Sequence, residues 1–149
     1  MGSNEKAFES MLQRLRDVRQ SLLRLHKTLL QWEREEYERA HGRIETSYEF
    51  LRLVMHDPWF GWLHHLSELI VQIDEMLAAE EPPTENAATA VIDQARLLLA
   101  PSQNGGQFQR KYFDSLQRSP EVVLAHAEAI KLLGPARPAN LPADQMSDE

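Results

Sequence analysis

The chain has 149 residues, of which 42% are hydrophobic and 26% charged, with a formal net charge of −7 and no cysteine. That size and balance fit one globular domain with a buried core, and the missing thiols exclude disulfides, thiolate metal sites and cysteine nucleophiles. The acidic surplus lies after residue 44, so a phosphate backbone would be repelled and no nucleic acid is expected as partner; no apolar run approaches the ~18 residues of a membrane span and no signal-peptide core is present, so no membrane is expected and the cytoplasm is the expected location.

Helical periodicity runs through the chain, and no segment alternates as a strand does. The first helix is predicted from Ser3 or Asn4 to about Ala40, with Gly42 as its stop. Within it Phe8, Met11, Leu15, Val18, Leu22, Leu25, Leu29 and Trp32 recur at alternating spacings of three and four, a heptad seam. At ~1.5 Å per residue this helix reaches ~55 Å, more than a compact domain of this size requires. The seam is therefore expected to outrun its own bundle. Leu23, Leu30 and Tyr37 form a second line, so the middle of the helix is expected to have two neighbours.

Thr46 or Ser47 opens a shorter helix whose buried set is expected to be Phe50, Leu51, Val54 and Met55. Asp57-Pro58 ends it and starts the next, because Asp accepts from free N–H groups and Pro has none to waste at the first helical position. That helix is predicted to run to about Glu80, with Trp59, Trp62, Leu63, Leu66, Leu69, Ile70, Ile73 and Leu77 on one face. After the linker "EEPPTEN", Thr84 caps a helix from Glu85 to Ala100 that buries Ala88, Val91, Ile92, Ala95, Leu98 and Leu99. "PSQNGG" is a turn, a short helix carries Phe108, Tyr112, Phe113 and Leu116, and Ser119-Pro120-Glu121 opens a last helix ending at Gly134. The expected fold is all-α: a single-domain bundle of about six helices over residues 1–134 with a long N-terminal helix. The Pro/Ala/Asp-rich tail, 135–149, is expected to be disordered.

The stretch "HDPWFGWLHH", residues 56–65, concentrates histidines and aromatic residues. On a helix of 3.6 residues per turn, Trp59, Trp62 and Leu66 point to the core, while His64 lies on the opposite side with Phe60, Ser67 and Val71. His64 and Glu68, four residues apart, offer two metal ligands on one face. Glu38-x-x-His41 has the spacing by which di-iron bundles aim a carboxylate and an imidazole inward, but it occurs once, and those bundles need it twice with further carboxylates. His126 shares a face with Val122, Ala129 and Leu133, and His26 is flanked by leucines; each reads first as a neutral, hydrogen-bonded core histidine. If His26 and His126 faced one cavity they would offer two axial ligands to a haem, although no c-type attachment motif is present. Walker, G-x-G-x-x-G, H-E-x-x-H and G-x-S-x-G motifs are all absent.

The segments "DPWFGWLHHLSELIVQID", residues 57–74, and "RKYFDSLQRSPEVVLAHAE", residues 110–128, resemble a pattern, D-P-x-F-x-W-L … S-x-L-I-V-x-I-D … V-V-L-A-H, of a group of small bacterial all-helical proteins. The likeness covers roughly residues 30 to 133. It implies a bacterial cytoplasmic protein, brings no activity, cofactor or catalytic residue with it, and marks Asp57, Trp62, Ser67, Asp74 and His126 for mutation.

Two function classes follow. The first is a non-catalytic, homo-oligomeric helical interaction or regulatory module without a cofactor, a homodimer built through the first helix and the Phe60/His64/Val71 face. The second is a metal-, haem- or small-ligand-binding bundle using His64, Glu68, His41 and Glu38, or His26 and His126. Six histidines with ordinary pKa values near ~6.5 would also allow an interface to loosen in mild acid.

Overall fold

The computed structural model of the chain describes residues 2–135, apart from the side chain of Ser3. Six α-helices account for most of it: α1 (Gly2–His41), α2 (Ser47–His56), α3 (His64–Ala78), α4 (Glu85–Leu98), α5 (Gln107–Arg118) and α6 (Pro120–Leu133), with a 3-10 helix (Pro58–Leu63) between α2 and α3. No strand occurs among the described residues. The fold is the all-α bundle with a long first helix that the periodicity predicts. Of the tail expected at 135–149, all but Pro135 lies outside the described residues.

The helix ends follow local chemistry. Thr46, Asp57, Thr84 and Ser119 each sit in extended backbone and accept from the N–H of Glu49, Trp59, Ala87 and Val122 respectively, which satisfies donors that a helix start leaves free. Pro58 and Pro120 occupy the first helical positions behind two of these caps. Gly42 and Gly134, at φ +100° and +77°, turn the chain away after α1 and α6 in a region closed to most side chains.

α1 is the spine, with α6 packed along it most extensively, α3 next to it, and α4 and the 3-10 helix touching it as well. Leu15, Val18, Leu22, Leu25, Leu29 and Trp32 are all buried against Trp62, Leu66, Ile73, Val122, Ala129 and their neighbours. This corrects one expectation. The heptad seam needs no second chain between Leu15 and Trp32, because α3, α4 and α6 cover it from several sides. Leu23 and Leu30 are partly buried at its flank, consistent with two neighbours. Ion pairs bind the flanks, Arg19 to Asp74 on α3 and Arg24 to Glu128 on α6.

A second correction concerns residues 58–63. A 3-10 helix has about three residues per turn, so residues i and i+3 eclipse. Phe60 therefore turns inward with Leu63, and both are buried. Phe60 packs against Phe50 and Tyr37, whereas His64 and Val71 remain exposed. The Phe60/His64/Val71 stripe is not one face. A third correction is in α2, where no residue is buried: Phe50, Leu53 and Val54 are half-covered, and Leu51 and Met55, expected inside, are exposed with Tyr48.

Candidate functional site

The most concentrated chemistry in the interior is the carboxylate of Glu33. It is 2% exposed, in the C-terminal third of α1. Trp59 Nε1–H donates to its Oε1 at 3.0 Å and Trp62 Nε1–H donates to its Oε2. Burial raises the Glu33 carboxyl above its ordinary 4.5, while the two indole bonds and the Lys111 ammonium pull the other way. Lys111 on α5 also stands 6.0 Å from the Trp59 ring centroid. Tyr37 and His41 extend the cluster outward, each meeting Trp59 edge to face. The rings of Tyr37, His41 and Trp59 are in mutual contact. The arrangement fastens the 3-10 helix to α1, and Arg34 stacked 4.7 Å over Phe50 extends that fastening to α2. Sequence reasoning missed Glu33, whose signal was an acidic residue four positions after Leu29 and seven after His26, beside the seam.

The second interior pair is Tyr112 and His126, with the phenol oxygen 2.6 Å from Nδ1. Burial raises the phenol's pKa and lowers that of the imidazole from 6.5, so burial favours the uncharged form of both partners in this hydrogen bond. His26 is likewise held below 6.5 by burial. It lies on α1, whereas His126 lies on α6 and is engaged by Tyr112 of α5.

The candidate metal ligands are also dispersed. His64 Nε2 lies 3.0 Å from Glu68 Oε2 on the open face of α3. Glu38 is committed elsewhere, its Oε2 accepting the Ile44 N–H at 2.9 Å and facing Arg34, and His41 stacks on Tyr37. Glu38 thus closes the α1–α2 turn over the buried Ile44. Among the described residues no group of three or more His, Cys, Asp or Glu side chains is placed to hold a metal ion. The residues marked by the family-like pattern are all engaged within the chain: Asp57 caps Trp59, Trp62 binds Glu33, Ser67 Oγ donates to His64 O, Asp74 pairs with Arg19, and His126 bonds Tyr112.

A surface groove of about 460 Å³ lies between the start of α1 and α4, lined by Phe8, Met11, Arg14, Glu85, Ala88 and Ile92 among others. Arg14 and Arg96 also donate to Leu133 O at 2.7 and 2.6 Å, tying down the end of α6. Large apolar side chains stand exposed on α2 (Tyr48, Leu51, Met55) and on α6 (Val123, Leu124, Ile130). No helix among the described residues is long and apolar enough to cross a membrane. No protein-family model, no curated protein and no solved structure matches the chain.

Proposed function

We propose that this chain is a non-catalytic helical interaction module that self-associates in the bacterial cytoplasm. One observation carries the reading: α2 is a ten-residue helix without a single buried side chain, whose Tyr48, Leu51 and Met55 are 72%, 55% and 65% exposed. An apolar helix face left in water is a surface waiting for a macromolecular cover. The polar chemistry of the interior supports the same reading, since Glu33, Tyr112 and His126 are engaged by partners within the chain. Bacterial origin and cytoplasmic residence rest on the resemblance of residues 57–74 and 110–128 to small bacterial helical proteins.

Sedimentation equilibrium from ~1 µM to ~1 mM tests it. The expected result is a weight-average mass that rises from 17.2 kDa with concentration; a constant monomer mass over that range removes the proposal. The metal-binding alternative has the His64–Glu68 pair in its favour, which supplies two ligands. Zinc binding abolished by His64→Ala, in a chain that stays monomeric, would put that alternative first.

A further inference from the structure

We infer that the groove between the start of α1 and α4 is closed by this chain's own C-terminal segment, with Pro138 and Leu141 seated on Phe8, Met11, Ala88 and Ile92. This contact lies within one chain and does not depend on the self-association reading.

Connectivity selects the occupant. Glu128 meets Arg24 and Leu133 meets Arg14, so α6 runs antiparallel to α1 and points toward the start of α1 as it ends. It packs on both α1 and α4. Its last carbonyl, Leu133 O, is held from α1 by Arg14 and from α4 by Arg96. A Cβ on Gly134 would stand 3.6 Å from Arg14 Nη2 and 3.9 Å from Arg96 Nη2. The chain therefore leaves α6 between the same two helices whose earlier turns flank the groove. Arg14 both grips the end of α6 and lines the groove wall. Leu133 is buried between these helices; past it the space is open, about 460 Å³ of it.

The reach suffices. From Arg14 to Asn4 the groove follows α1 for ~15 Å. In polyproline II backbone the stretch from Pro135 to Leu141 spans ~22 Å, enough to turn at Gly134 and still bring Leu141 to Phe8. The segment "PARPANLP", residues 135–142, also has the right chemistry. Proline cannot sit inside a helix and disfavours helical backbone in the residue before it, which leaves polyproline II with its three-residue repeat. Pro138 and Leu141 then share one edge, ~9 Å apart, and present an apolar strip to an aromatic and aliphatic groove, as Pro-rich ligands do. Such a composition cannot build a core of its own, but two anchors suffice on a groove already formed by helices.

Charge does not choose between occupants, since the groove wall carries Arg14 and Glu85, one of each sign. Tethering does. A segment joined to the rim by a few residues has an effective concentration on the order of millimolar. A free partner of equal intrinsic affinity, a second copy included, is outcompeted below that concentration.

NMR on the full chain tests the contact. Nuclear Overhauser effects between the Leu141 methyl groups and the Phe8 ring are expected, with backbone order parameters above ~0.7 for residues 139–141. Leu141→Asp, which alters no residue of the helices, should lower those order parameters below ~0.6. It should also shift the methyl resonances of Met11 and Ile92 while those of Leu25 and Leu66 in the core stay fixed. Phe8→Ser should release the same segment with an unchanged far-ultraviolet circular dichroism spectrum. Missing Leu141–Phe8 effects, or Met11 and Ile92 resonances untouched by Leu141→Asp, overturn the proposal. Effects seen only between labelled and unlabelled chains in a mixture also overturn it, assigning the groove to a second copy's segment. Sedimentation reads self-association separately, so a monomer with these contacts removes the self-association reading and leaves this one standing.

Discussion

Trp62 of the 3-10 helix and Glu33 of α1 meet in the core, the indole N–H donating to Oε2 while Trp59 donates to the other carboxylate oxygen. One buried carboxylate thereby holds the whole α2 and 3-10 segment against the spine. A carboxylate in that position is costly unless both oxygens are bonded, and both are.

Glu33→Gln should therefore lower stability by about 1–3 kcal/mol, since the amide sets an N–H₂ group against an indole N–H. Trp62→Phe should cost about 2–4 kcal/mol, losing one bond and leaving a void. Denaturant unfolding of the two variants and their double mutant checks both, and a double-mutant coupling near zero would mean the bond contributes nothing.

The Glu33 effect depends on pH with a definite sign. Its folded carboxyl titrates above the ordinary 4.5 because of burial, so the folded state holds that proton more tightly than the unfolded chain does. The contribution is full below 4.5 and is lost as pH rises through the folded value. The penalty of Glu33→Gln should thus be larger near pH ~4 than near pH ~7. A penalty that grows toward neutrality would contradict the assignment.

His26 and His126 act in the opposite sense. Burial holds both below 6.5, so the folded state binds their protons less tightly than the unfolded chain. Their contribution is present above 6.5 and is lost as pH falls through the folded values. NMR titration of the imidazole resonances should place both midpoints below 6.5. Tyr112→Phe, which removes the phenol bonded to His126, should cost about 1–2 kcal/mol.

At the end of α6, Leu133 O accepts from Arg14 and from Arg96, and Gly134 O accepts from Arg96 Nε at 3.1 Å. Arg96→Ala should lower stability by about 1.5–3 kcal/mol, because these bonds are charge-assisted and partly buried. Amide exchange in residues 130–134 should accelerate in that variant before exchange in α3 does. Equal acceleration in both helices would show that the tie is not local.

His64 and Glu68 provide the contrast. Their side chains are 71% and 63% exposed, so His64→Gln or Glu68→Gln should shift stability by less than ~0.5 kcal/mol.

The sequence by itself determined what is decided locally. The caps at Thr46, Asp57, Thr84 and Ser119, the stops at Gly42 and Gly134, and the seam from Leu15 to Trp32 all rest on interactions within a few residues or on a period of 3.6, and each lies where the residues predict. Only the tertiary structure decided coverage. Periodicity states that a face is apolar, not which element lies on it, so the seam expected to reach a second chain is buried by α3, α4 and α6, while Leu51 and Met55, expected inside, stand in water. The tighter winding of residues 58–63 turned Phe60 inward and dissolved the stripe drawn through His64 and Val71. Glu33 found its two indoles across 26 and 29 residues of chain, a separation over which no local rule operates and only the packing of whole helices sets the distance.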